Sequence, residues 1–206
     1  AGRVLPEYKK LRSEYQSIQT LFTTPELASK ITLMPIKHLG VDAAILYTDL
    51  VTPLAPLGCP FTYAPGPVFD DPIRTESQIK NLKEFHSENE LSYVTKTIDI
   101  VCEHLPDHIP LIGYAGSPFT LAAWLVEGRS SKDFSAVRSL FNSNPHSAHL
   151  LMKKLTELVI DFLSAQIKHG VKAIQIFDTS LGVISVHTFI EFVLPYLKYI
   201  FNKLSD

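Results

Sequence analysis

The chain has 206 residues, 46% of them hydrophobic and 19% charged, and a formal net charge of −2. That is enough apolar material for a sizeable core, and the near-neutral balance excludes a bulk electrostatic partner such as nucleic acid. No apolar run approaches the roughly 20 residues of a membrane span and no signal peptide is visible, so a cytoplasmic protein with no membrane partner is expected.

The opening Ala1-Gly2-Arg3-Val4-Leu5 reads as a loop that runs into a helix at Pro6, where Pro and Glu7 suit a first turn. Arg3 alone would be a solvated terminal arginine. A second helix is expected from Thr24-Pro25-Glu26 through Leu27, Ile31 and Leu33 towards Gly40, with Pro35 kinking it or shifting its start. The apolar run Ala43–Leu46 then predicts a buried parallel strand that delivers Tyr47-Thr48-Asp49 at its carboxyl end. Leu50, Val51, Leu54 and Leu57 follow, and Pro53 and Pro56 forbid a helix, so Asp49 would project into an apolar, irregular loop. A turn or capping residue fits this pattern equally well.

Further along, Gly58 to Phe69 is expected to form a hairpin around Pro65-Gly66-Pro67. Cys59 and Cys102 are too few and too far apart for a disulfide framework or a metal cluster, and buried reduced thiols are expected. Helices follow over Ser77–Leu82 and Ser92–Leu105, with His104 and His108 read as surface residues. The stretch Ile109–Gly116 predicts a strand, after which Ser117 can cap and Pro118 open a helix that carries Trp124, Glu127 and Gly128. Its small residues would let a flat ligand approach the backbone, or would serve tight strand–helix packing. Helices over Phe134–Phe141 and Pro145–His169, the latter stopped by Gly170, lead to a strand over Ala173–Thr179. A last amphipathic helix spans His187–Leu204, interrupted by Pro195.

Three strand–helix units of the same grammar imply a parallel sheet with crossover helices, whose ligands bind at the carboxyl ends of the strands. The same two late strands favour a functional Asp49. With no repeat or linker, residues 1–206 read as one domain. A closed eight-unit barrel takes roughly 250 residues, so the chain is expected to be an incomplete portion of one.

Common chemistries are set aside: there is no phosphate loop, no Gly-x-Gly-x-x-Gly after a strand, no Gly-x-Ser-x-Gly elbow and no zinc-ligand spacing. Arginine is scarce, at Arg3, Arg12, Arg74, Arg129 and Arg138. A rim aspartate, the rim hydroxyl of Thr179 beside Asp178, an arginine loop and an aromatic helix start suit a large anionic ligand handled without a metal or cofactor.

Longer signatures sharpen this. Ala1-Gly2-Arg3-Val4-Leu5-Pro6-Glu7-Tyr8 resembles the end of the Arg-Gln-Ala-Gly-Arg-Tyr-Leu-Pro-Glu-Tyr signature of the uroporphyrinogen decarboxylase family. Gly113 to Leu121 is similar to that family's Gly-Phe-x-Gly-x-Pro-[Trp/Phe]-Thr-Leu, with Tyr114 in place of Phe, and Leu125-Val126-Glu127-Gly128 follows. Ile45-Leu46-Tyr47-Thr48-Asp49 resembles its Phe-Ser-Asp segment, and Ile176-Phe177-Asp178-Thr179 its strand ending in a hydroxyl residue.

The resemblance implies a (β/α)8 TIM-type barrel, here lacking the first strand and the C-terminal strands. It also implies a cofactor-free, homodimeric enzyme that removes carbon dioxide from the acetate side chains of uroporphyrinogen III to give coproporphyrinogen III in haem biosynthesis. By position, Asp49 would accept the pyrrole N–H groups and stabilise the protonated pyrrole. Arg3 would hold a substrate carboxylate, Thr179 would take the hydroxyl position near another, and the Ala1-Gly2 backbone would lie alongside the substrate. Trp124 stands where the family usually has a substrate-holding tyrosine, and its indole N–H can donate but cannot do acid–base work. Two other readings are a tetrapyrrole-binding protein without turnover and a corrinoid-linked methyltransferase of the same superfamily, which would need zinc ligands.

Overall fold

The computed structural model describes residues 2–15, 17–84 and 86–205. After a single 3-10 turn at Gly2–Val4 come helices α1 (Pro6–Glu14), α2 (Ile18–Thr23) and α3 (Pro25–Leu39) and the short strand β1 (Ala44–Ile45). Strands β2 (Phe61–Tyr63) and β3 (Pro67–Phe69) precede α4 (Glu76–Lys80), α5 (Ser87–Glu90), α6 (Ser92–His104) and β4 (Leu111–Gly116). Helices α7 (Pro118–Glu127), α8 (Ser135–Ser143) and α9 (Pro145–Lys168), strand β5 (Ala173–Phe177) and helices α10 (Val186–Phe192) and α11 (Leu194–Leu204) complete the order. One sheet has the order β1-β4-β5, and β2-β3 form a separate pair. Among the described residues, no helix is long and apolar enough to cross a membrane.

The described residues divide into two compact units. The first comprises Ala1–Asp49, Ser87–Tyr114 and Leu163–Gln175. In it α1 starts at Pro6 with Glu7 in the first turn, and α3 starts at Pro25 with Glu26. α3 runs through Pro35 and stops where Gly40 adopts a left-handed φ of 58°, a conformation that costs other residues a Cβ clash. The buried face Ala28, Ile31, Thr32 and Met34 keeps α3 continuous across Pro35. A core of Leu5, Tyr8, Leu11, Leu21, Ile31 and Met34 joins α1, α2 and α3, with Tyr47 packed against it.

β1 runs parallel to β4 with Ala44 opposite Leu111 and Ile45 opposite Ile112. It is shorter than the apolar run predicts, and not all of it is buried. Ala44 and Leu46 face the interior, whereas Ile45 is 58% exposed because a strand turns successive side chains to opposite faces. Cys102 is exposed, not buried as expected. Val94, Ile98 and Val101 define the inward stripe of α6, and Cys102 is rotated one position off it.

The second unit comprises Leu50–His86, Ala115–Phe162 and Ile176–Asp206. The expected hairpin is there, antiparallel, with Phe61 opposite Phe69 and Tyr63 opposite Pro67. α4 begins with a capping box: Thr75 Oγ1 accepts from Gln78 N, and the Gln78 side chain returns to the Thr75 N–H. α7 begins as read from Ser117-Pro118, with Ser117 Oγ accepting from Thr120 N at 3.0 Å. The main chain of Phe69 donates to Gly128 O and that of Ile73 to Leu125 O, which ties the hairpin region to the end of α7. Phe119, Phe141 and Phe192 form a run of ring contacts at centroid distances of 5.6 and 5.0 Å through the core of this unit. The last predicted helix is two, α10 and α11, because Pro195 cannot supply an N–H inside a helix and is accepted in the first turn of α11.

Candidate substrate site

In the first unit an open cavity of about 350 Å³ is lined by Arg3, Tyr8, Ile45, Tyr47, Thr48 and Tyr114, with Gly2 at its edge. Arg3 lies in the turn Gly2–Val4, closed by a bond from Leu5 N to Gly2 O, and its side chain is exposed. Asp49 follows the lining residue Thr48 directly and is half-buried.

Three side chains fix the segment that carries Asp49. Thr32 Oγ1 on α3 accepts the N–H of Tyr47 at 3.0 Å and itself donates to Ala28 O at 2.9 Å. The Tyr47 hydroxyl meets that of Tyr8 at 3.2 Å. The Tyr114 hydroxyl donates to the carbonyl of Thr48 at 2.6 Å, one residue before the carboxylate. Tyr114 is held in turn by the fully buried amide of Gln166 on α9, whose Oε1 accepts from Tyr114 N at 2.9 Å while Nε2 donates to Tyr114 O at 3.0 Å. That approach explains Gly113, where an added Cβ would fall 2.4 Å from Gln166 Oε1.

The electrostatics tie these groups together. Burial pushes the Tyr114 phenol well above its ordinary value, the negative charge of Asp49 pushes it further, and Arg3 pulls the other way. Tyr47 is likewise pushed up by burial and by its bond to Tyr8, with Arg3 and Arg12 opposing. Arg3 and Asp49 thus act on one tyrosine, with opposite sign. Arg12, which also donates to Tyr15 O at 2.8 Å, went unread as a site residue, and so did Tyr8, Tyr47 and Gln166. The scarcity of arginine was the one sequence signal for Arg12; the tyrosine hydroxyls had none, because their partners are far away in sequence.

Trp124 and Thr179 belong to the second unit. Trp124 is half-buried on α7 and Thr179 is exposed just after β5. Beside Thr179, Asp178 Oδ1 accepts from Thr120 Oγ1 at 2.8 Å, and Thr120 Oγ1 in turn accepts from Ser180 N at 3.4 Å. Burial raises the Asp178 carboxyl above the usual range, with Ser117 and Thr120 opposing, and its buried Oδ2 has no hydrogen bond among the described residues. Ala1 lies outside the described residues. His104 and His108 are exposed as expected, and no cluster of histidine, cysteine or acidic residues among the described residues could hold a metal ion.

The family model for uroporphyrinogen decarboxylase matches residues 1–206. The chain belongs to that family. Proteins named uroporphyrinogen decarboxylase from Geotalea daltonii and Geobacter metallireducens are each 44% identical to it over 205 residues, and one from Geobacter sulfurreducens is 43% identical. The match takes in the whole of this chain and 60% of each relative, so the chain spans less than two thirds of their length. A solved methyltransferase from Methanosarcina mazei superimposes with a TM-score of 0.72 over 86% of this chain and 53% of its own. At 19% identity that likeness is one of fold.

Proposed function

We propose that residues 1–206 form one partial (β/α)8 barrel domain of a cofactor-free decarboxylase that converts uroporphyrinogen III to coproporphyrinogen III. The family match along the whole chain carries the proposal, and the opposing charges of Arg3 and Asp49 acting on Tyr114, which lines a cavity together with Arg3, support it. A cytoplasmic homodimer is the working form in this reading.

A proton is added to the pyrrole ring carbon next to the one that bears the acetate group, and the ring becomes cationic. The electrons of the bond to the departing carbon dioxide then flow into that ring. The exocyclic methylene left behind takes a proton to become methyl, and the ring proton is lost, so the net change is replacement of carboxylate by hydrogen. Asp49 accepts pyrrole N–H donors and lowers the energy of the cation, which a fixed anion in a partly desolvated place does far better than water. Arg3 pairs with a substrate carboxylate, with the Gly2 backbone alongside. Thr179 offers a hydroxyl to a carboxylate, and Trp124 offers an indole face and N–H.

The test is anaerobic turnover of uroporphyrinogen by the chain and by its Asp49→Ala variant. A fall of about a hundredfold to a thousandfold is expected, the effect of removing one preorganised charge-stabilising group. Unchanged turnover in the variant would remove Asp49 from the chemistry.

A further inference from the structure

The geometry points to Tyr114 as a positioning residue that holds Asp49 in place through the Thr48 carbonyl, with Gln166 as its anchor. This rests on the reading of Asp49 given above and goes beyond it.

The line of contacts is continuous. Gln166 is fully buried on α9 and uses both ends of its amide on both main-chain groups of Tyr114, as a neighbouring strand would. The Tyr114 ring then crosses to the β1 side and donates to Thr48 O at 2.6 Å, a short bond in the range of strong O–H···O contacts. The next residue is Asp49. β1 itself is only two residues long and is followed by a bond from Leu46 N to Ile112 O, so the strand stops four residues before Asp49. Beyond that point side-chain bonds restrain the segment, at Tyr47 from Thr32 and Tyr8 and at Thr48 from Tyr114.

The position is informative because the matching family signature carries Phe there. A phenylalanine fills the same space without reaching the carbonyl. The raised phenol supports the assignment, since a hydroxyl beside a carboxylate that stays protonated remains a donor across the physiological pH range.

The experiment uses the full chain with Tyr114→Phe, Asp49→Ala and the double substitution. Binding of coproporphyrinogen III, kept reduced under anaerobic conditions, is read beside amide hydrogen exchange over residues 47–50. Tyr114→Phe is expected to weaken binding about threefold to tenfold, the range for one lost hydrogen bond. It should also speed exchange of the Asp49 and Leu50 amides by a similar factor. In the Asp49→Ala background the second substitution should add nothing to the binding loss, because a positioning residue acts only through the group it positions. Parental binding and exchange in Tyr114→Phe, beside a weakened Asp49→Ala, overturn the inference and leave the role of Asp49 standing. Additive losses also overturn it, since they place the hydroxyl on the ligand. If Asp49→Ala binds as the parent does, the site reading fails instead, and exchange over 47–50 alone decides whether Tyr114 restrains the segment.

Discussion

Two strands of this molecule lead within a few residues to an aspartate, and the two carboxylates are treated in opposite ways. After β1, Asp49 is carried on a segment restrained by the side chains of Thr32, Tyr8 and Tyr114 and directly follows Thr48, which lines an open cavity with Arg3 in its wall. After β5, Asp178 is built into the start of α7, where one oxygen takes the Thr120 hydroxyl and burial drives its carboxyl towards the neutral form. A carboxylate meant to meet a ligand needs a fixed backbone and an open side. One meant to hold a fold needs partners from the fold, and it tolerates burial at the cost of its charge.

Substitutions can break that comparison. The largest effect expected is on turnover: about a hundredfold or more for Asp49→Ala with little change in melting temperature, against about tenfold, expressed in KM, for Thr179→Val next to Asp178. Equal losses of kcat in steady-state assays would erase the distinction. Next in size is Gly113→Ala, whose Cβ must displace the Gln166 amide; a destabilisation of about 1–3 kcal/mol is expected by chemical denaturation. A neutral outcome would show that the amide has room to move and does not clamp Tyr114.

The smallest effect concerns pH. The folded Asp178 carboxyl titrates above its unfolded value, so its contribution to stability is complete below the unfolded pKa and is lost as pH rises through the folded one. Asp178→Asn stays neutral throughout, keeps an acceptor for Thr120, and should melt higher than the parent at pH 7, with the difference shrinking on acidification. A gap that widens in acid would mean that the ionised form is the stabilising one, and that Asp178 resembles Asp49 more closely than its burial implies.

What was legible in the sequence follows the range of the interaction that decides each feature. The Ser117-Pro118 helix start, the hairpin around Gly66 and the stop of α9 at Gly170 are set by neighbours within a few residues, and all are found where they were read. Helix α2, Ile18–Thr23, went unread although Ser17 caps it, because six residues give too little periodicity to register. α5 is shorter still. The strand before Asp49 was read too long, since apolar content marks a buried run but not where hydrogen bonding stops. At the candidate site, the reading of Asp49 as a rim residue rests on an apolar run giving way to polar residues. The Tyr114–Thr48 bond joins residues 66 apart and the Gln166–Tyr114 clamp residues 52 apart, so neither could be seen until the chain was folded.

The two cysteines give the protein a built-in means of selective labelling. The Cys59 thiol is buried, and its pKa is pushed up to about 11 by that burial and by the charge of Asp71. Cys102 is exposed on α6, and although burial of part of its side chain also raises its thiol, Lys172 counters the shift. Alkylating reagents attack the thiolate and need access, so a maleimide dye at mildly alkaline pH would attach to α6 and spare the interior. A single fluorophore could then report on the first unit in the natural sequence, with no cysteine added or removed.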